Sequence, residues 1–130
     1  WPIYARAESE PPAYLGETAE VDHSVVTRGS EVEGAVRNSV LSQRCTVAEG
    51  AEVEYSILMP GAVVKAGADV SYAIVAENAV IEANAHVGSA PDDSPDWGIA
   101  VVAGGVTIGA GATVAPRAMI REDVKGGEQA

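Results

Sequence analysis

The sequence VEYSILMPGAVVKAGADVSYAIVAENAVIEANAHV, residues 53–87, repeats its aliphatic pattern after 17 residues. Aliphatic residues follow one another at intervals of 5, 6 and 6 from Val53 to Val70, and at the same intervals from Val70 to Val87. A repeat of this length with six-residue units is typical of a hexapeptide β-helix, in which each coil of short strands stacks on the coil before it. The pattern therefore predicts an all-β fold, a single-stranded parallel β-helix of triangular section.

The same spacing extends in both directions from this stretch. Toward the N terminus, Val21 and Val36 continue the series, but the interval between them is only 15 residues. Residues 88–98 interrupt it with two prolines and three acidic residues, and we predict a loop that leaves the helix and is anchored back by Trp97. The helix then resumes with six-residue steps at Val102, Ile108, Val114 and Ile120.

Each side of the prism should contribute one large and one small inward residue. On the six-residue sides, the fourth residue after each large one is small, and Cys45 occupies this column once. Cys45 is therefore interpreted as a small buried hydrophobe rather than a nucleophile. The same count on the five-residue sides predicts an inward column of Val25, Val40, Ile57 and Ile74.

The chain divides into three parts. Residues 1–14 are rich in proline and are predicted to be a connector from an upstream domain. The β-helix is predicted over residues 15–121, and the polar residues 122–130 are predicted to form a frayed tail. Because the first residue is Trp rather than Met, we expect the sequence to be part of a longer chain.

Composition narrows the function classes. A formal charge of -11 argues against nucleic acid and against anionic membrane surfaces as partners. One cysteine excludes an internal disulfide framework, which fits a reducing compartment, and no apolar run is long enough to span a membrane. We expect a cytoplasmic location.

The two histidines are candidate catalytic residues, because hexapeptide β-helices often belong to acyltransferases that use His as a general base. His23 shares a repeat position with Asn38, Tyr55 and Tyr72, which predicts an outward ladder of planar side chains. His86 shares a position with Glu52 and Asp69, where it would relieve repulsion between stacked acids. Neither histidine belongs to a motif for catalysis, cofactor binding or zinc binding, and none of these sites is predicted.

Several short sequence segments resemble segments of bacterial glucose-1-phosphate adenylyltransferases, also called ADP-glucose pyrophosphorylases. The most specific are WPIY at residues 1–4 and PP at 11–12, just ahead of the 17-residue repeat. NSVL at 38–41, SILMPG at 56–61 and GIAVV at 98–102 also fit the C-terminal domain of that family.

The resemblance implies a left-handed β-helix whose parent enzyme makes ADP-glucose and pyrophosphate from ATP and glucose 1-phosphate for glycogen synthesis. Catalysis, with Mg²⁺, would belong to an N-terminal domain that this sequence does not include, so no catalytic residue and no cofactor is assigned to this chain. The β-helix would pack on its own catalytic domain, build a homo- or hetero-oligomer and help to bind a phosphorylated regulator. A catalytic and a companion subunit both fit, and a hexapeptide-repeat acyltransferase is the alternative.

Two sets of residues are candidates for these roles. Arg28 and Arg44 lie at nearly the same place in adjacent coils, and they form the best pair for a phosphorylated anion. Residues 90–97 carry three carboxylates and no cation, so a regulator site in this loop is not expected. His23, Tyr55 and Tyr72 are the candidate interface ladder.

Overall fold

The computed structural model describes residues 14–16, 19–91, 95 and 97–129. Of the connector predicted over residues 1–14, Tyr14 alone is among these residues, and it belongs to the first strand of the solenoid rather than to a connector. All regular structure among the described residues is β-strand, arranged in three parallel six-stranded sheets that close into a solenoid of about six turns. The prediction of an all-β parallel helix is therefore confirmed.

The 18 strands alternate among three sheets, here named A, B and C. Sheet A contains β1 (Tyr14–Leu15), β4 (Glu31–Val32), β7 (Thr46–Val47), β10 (Val63–Val64), β13 (Val80–Ile81) and β16 (Thr107–Ile108). Sheet B contains β2 (Glu20–Asp22), β5 (Ala35–Arg37), β8 (Glu52–Glu54), β11 (Asp69–Ser71), β14 (His86–Val87) and β17 (Thr113–Val114). Sheet C contains β3 (Val25–Val26), β6 (Val40–Leu41), β9 (Ile57–Leu58), β12 (Ala73–Val75), β15 (Ala100–Val102) and β18 (Met119–Ile120).

The register stacks each repeat position on its equivalent in the next coil. Val53 pairs with Val36 on one side and Val70 on the other, and all three side chains are fully buried. The core is a thin column of aliphatic side chains, and each buried Val, Leu or Ile contributes roughly 1.5–3 kcal/mol relative to an exposed one. Small residues such as Ala51, Ala62 and Cys45 fill the space beside them.

The inward column predicted for sheet C was wrong. Val25, Val40 and Ile57 are exposed, and the small inward residues are instead Ser39, Ser56 and Ala73, with Ala100 after the loop. The five-residue sides are one residue shorter than the six-residue sides because their corner has one residue fewer, while their strand keeps its full length. Strict alternation within the strand therefore still places the small inward residue two positions before the next large one.

The predicted frayed tail also needs correction. Val124 is buried and forms a bridge with Ile108, while Gln129 forms one with Thr113. Residues 122–129 thus begin a further coil over sheets A and B. The further coil was not predicted because the segment is mostly polar. A single inward apolar residue is nevertheless enough to continue one side of a narrow prism.

Candidate functional site

The corner between sheets B and C carries an aromatic ladder. The rings of Tyr55 and Tyr72 stack with centroids 4.8 Å apart and an interplanar angle of 13°. Trp97, returning from the loop, meets Tyr72 edge-on at 5.7 Å, and its indole Nε1 donates to the Ser89 carbonyl oxygen at 2.9 Å. Trp97 therefore anchors the loop to the corner, as predicted.

This corner holds its ladder in the left-handed backbone region. His23, Asn38, Tyr55 and Tyr72 have φ values of 48°, 50°, 48° and 50°. Asn tolerates this region, whereas for other residues with a Cβ it costs roughly 1–2 kcal/mol. Bulky residues in this backbone conformation cost stability, so the surface that they form is a candidate functional surface.

His23 lies at the outer end of this ladder. Its Nδ1 is 2.8 Å from an Asp22 carboxylate oxygen, which leaves Nε2 facing solvent. The side chains are 76% and 67% exposed, so neither the histidine nor its carboxylate partner is held in a desolvated site. A general base needs a bound substrate beside it, and this exposed corner supplies no enclosure for one.

The acidic column that includes His86 lies on sheet B. Asp69 pairs in register with Glu52 below it and His86 above it, and His86 Nδ1 is 3.8 Å from an Asp69 carboxylate oxygen. Beside this column, Arg37 lies between Glu54 at 2.6 Å and Glu20 at 3.4 Å. The hydrogen bond that the Arg37 guanidinium donates to the Glu54 carboxylate is the main cause of the raised pKa of Arg37. Sequence reasoning missed this bridge, although Arg37 and Glu54 stand one 17-residue repeat apart.

Arg28 and Arg44 share the corner between sheets C and A, in adjacent coils. The Arg44 amide donates to the Arg28 carbonyl oxygen at 3.2 Å. The Arg44 stem lies over Gly29, where an added Cβ would come within 3.1 Å of Arg44 Cγ. The structure thus brings the two backbones together, and an anion held between the two side chains remains a prediction.

Sheet C carries a feature that was not predicted, because Val25, Val40, Ile57 and Ile74 were expected to point inward. Successive strands align six aliphatic residues on the outer surface: Val25, Val40, Ile57, Ile74, Val101 and Met119. We call this set the aliphatic column. Alternation of side chains along each strand, counted from the buried Leu41 and Leu58, is the signal that could have found it.

Among the described residues, no group of three or more His, Cys, Asp or Glu side chains could hold a metal ion. No helix in the same part of the chain is long and apolar enough to cross a membrane.

Comparison with known proteins places this geometry in context. A family model described as GlmU-like, C-terminal hexapeptide matches residues 11–109. The glucose-1-phosphate adenylyltransferases of Bacillus cytotoxicus and Bacillus anthracis are each 45% identical over 60 residues, which cover 46% of this chain and 16% of theirs. The resemblance seen in the sequence is confirmed for the hexapeptide region, which is a small part of those relatives' length.

A solved structure shares the architecture. The acetyltransferase domain of PglB from Neisseria gonorrhoeae matches 98% of this chain and 60% of its own, with a TM-score of 0.63 and 19% identity. At that identity the likeness shows the fold alone.

Proposed function

Because the chain belongs to the GlmU-like C-terminal hexapeptide family, we propose that it is the assembly and regulatory domain of a glucose-1-phosphate adenylyltransferase. The observation that carries the proposal is the 45% identity over 60 residues to enzymes of that name. The reaction, ATP and glucose 1-phosphate to ADP-glucose and pyrophosphate, would take place in a separate catalytic domain in the cytoplasm. Any Mg²⁺ would be held by that domain, since the described residues here offer no suitable ligand cluster.

The side chains of this domain suit support and assembly better than chemistry. Among the described residues, the buried polar side chains are Ser30, Ser39 and Ser56, and each is hydrogen-bonded to a backbone group of a neighbouring coil. The solvent-facing histidines pair with exposed carboxylates, and neither lies in an enclosed site. A rigid prism of this kind offers a catalytic domain a flat surface on which to pack.

The regulatory part of the proposal rests on Arg28 and Arg44. A phosphorylated sugar or nucleotide needs several cationic donors, and an Arg pair one coil apart can supply two of them. The net charge of -11 opposes anion binding elsewhere on the chain. The pair would therefore act together with cations from the catalytic domain.

A chimaera tests the proposal. The C-terminal hexapeptide region of the Bacillus cytotoxicus adenylyltransferase is replaced by this chain, and pyrophosphate release is measured with ATP, Mg²⁺ and glucose 1-phosphate. We expect the chimaera to release pyrophosphate and this chain alone to release none. We also expect the chimaera to respond to fructose 1,6-bisphosphate or AMP, and the double variant Arg28→Ala, Arg44→Ala to respond less. Arg121→Ala, at the last strand of sheet C, is the matched control.

The alternative, a hexapeptide acyltransferase, has its own assay. Release of free thiol from acetyl coenzyme A in the presence of amino sugars would show acetyl transfer by this chain. Loss of that release in His23→Asn would assign the base and would overturn the adenylyltransferase proposal. An inactive chimaera with no acetyl transfer would refute the regulatory role without supporting the alternative.

A further inference from the structure

The outer face of sheet C is the uncharged side of an acidic molecule. Beside the aliphatic column runs a second outward column of small or apolar residues in the first five strands: Thr27, Ser42, Met59, Ala76 and Ala103. The first charge on this face is Arg121, at the last strand. Sheet B, by contrast, presents Glu20, Glu52, Glu54 and Asp69.

Several of these apolar side chains are open to solvent. Val25 is 58% exposed, Ile57 44% and Met119 63%. The 50%-exposed ring of Tyr55 adjoins them at the corner, stacked on Tyr72. Contiguous exposed apolar surface of this kind marks an interaction site, and Tyr and Trp are enriched where such sites are most strongly bound.

We propose that this face binds a second copy of the same chain, through a two-fold axis that runs along the strands between β9 and β12. The inference deepens the proposed function, and it rests on that function's assembly role. A half-turn about this axis packs the aliphatic column of one copy against the aliphatic column of the other. The Tyr55–Tyr72 corners of the two copies then also lie opposite each other. Ile57 of one copy then lies opposite Ile74 of the other, and Val25 lies opposite Met119.

Charge favours a second copy as the occupant. Two chains of charge -11 repel each other in most orientations. With sheet C against sheet C, the acidic residues of sheet B point away from the partner on both copies. A cationic partner would instead be drawn to sheet B, and an anionic one would find no cation in the first five strands of sheet C.

The size of the face fits a reversible dimer. Six strands about 4.8 Å apart and about five residues per side of about 3.3 Å give a face of roughly 500 Å². Two such faces bury roughly 1,000 Å², which is at the low end for specific interfaces. Ile57 and Ile74 lie at its centre, where binding energy is usually concentrated, and Tyr55 and Tyr72 flank them at the corner. We expect a dissociation constant of about 1–100 μM.

Sedimentation equilibrium of the 130-residue chain tests the surface. We expect Ile57→Glu to raise the dimer dissociation constant at least about 100-fold, because each of the two symmetry-related copies places one new carboxylate in the buried interface. Val63→Glu makes the same change on the outer face of sheet A and should leave the constant unchanged. Circular dichroism of both variants checks that the strands remain formed.

Cross-linking tests the axis. In a Cys45→Ala background, Val25→Cys and Met119→Cys chains are prepared separately and treated with a bis-maleimide of about 10 Å, the distance between packed sheets. Val25 and Met119 lie on the first and last strands of sheet C, so the axis brings them opposite each other but keeps two copies of the same residue far apart. A mixture of the two should cross-link far better than either alone. Equal cross-linking in each pure variant would contradict this axis.

A wild-type chain that stays monomeric at about 1 mM, or that loses its dimer equally in Val63→Glu, overturns the proposal. So does a monomeric chain in which an Ile57→Cys thiol reacts with a maleimide in the free chain but not in the chimaera, since another domain would then cover the face. A dimer that forms as expected beside an inactive chimaera would refute the adenylyltransferase role and leave this surface standing.

Discussion

The amide of Ser56 donates to the hydroxyl of Ser39, one coil below it, at 3.1 Å. The contact recurs on both sides, because Ser39 N donates to Ser24 Oγ at 3.1 Å and Ala73 N donates to Ser56 Oγ at 3.2 Å. Each buried serine thus joins two coils at the corner where sheet C begins. The hydroxyl of Ser56 itself donates to the Glu54 carbonyl oxygen at 2.7 Å.

Ser56→Ala should therefore destabilise the chain by about 1–3 kcal/mol, because the buried Ala73 amide loses its acceptor. Ser71→Ala is the control, since that hydroxyl donates to the partly exposed Asp69 carboxylate at 3.1 Å. Urea denaturation of both variants measures the difference. Equal midpoints for the two would show that the serine ladder adds nothing to stability.

Tyr55→Asn should change stability by no more than about 1 kcal/mol. The substitution loses a ring stack worth about 0.5–1.5 kcal/mol, and it relieves a backbone conformation that costs about 1–2 kcal/mol for Tyr. Asn38 already occupies the equivalent position with φ 50°. Tyr55→Val loses the same stack without relief, because a β-branched residue is strained at positive φ. Thermal melts should rank Val well below Asn, and the reverse order would contradict the strain argument.

The repeat made most of this fold predictable from sequence. The intervals around Val53 and Val70 located the large core residues, since a stacked parallel coil must return each position to the same place. The same count failed for Ile57, because interval lengths do not say whether a corner or a strand has lost a residue. The Tyr55–Tyr72 stack was predictable from their 17-residue separation, whereas the αL backbone beneath it was not, because Tyr has no preference for that region.

Gly34→Ala should be severely destabilising, although its repeat position is filled by Ala51 and Ala68 in the next coils. The corner before Gly34 is two residues shorter than its counterparts, which draws the backbone against the coil above. A Cβ at residue 34 would lie 2.6 Å from the Ala48 carbonyl oxygen and closer still to that of Ala51. Overpacking of this kind costs typically about 1–3 kcal/mol.

Gly104→Ala is the matched control for Gly34→Ala. An added Cβ there would have the Glu77 carbonyl oxygen at 3.3 Å as its near neighbour, and its φ is not positive. Thermal denaturation should show a large loss for the first variant and a small change for the second. Similar melting temperatures would mean that the shortened corner can relax.

Cys45 should make stability fall at alkaline pH. Its side chain is fully buried, with Sγ 3.2 Å from the Met59 carbonyl oxygen, and burial raises the pKa of the thiol above its ordinary value of 9.0. Below pH 9.0 the thiol is neutral in both states and pH has no effect through it. Above pH 9.0 the unfolded chain loses the proton first, so the unfolded state binds fewer protons and the free energy of unfolding decreases as pH rises. The slope from one such group is at most about 1.4 kcal/mol per pH unit, and it ends once the folded thiol also ionises.

Urea denaturation from about pH 7 to about pH 10 measures this slope, with Cys45→Ala as the control, because Ala fills the same column in neighbouring coils. Tyr and Lys titrate in both proteins, so the difference between them isolates the thiol. Parallel stability curves for wild type and Cys45→Ala would show that the thiol ionises as easily inside the prism as outside it.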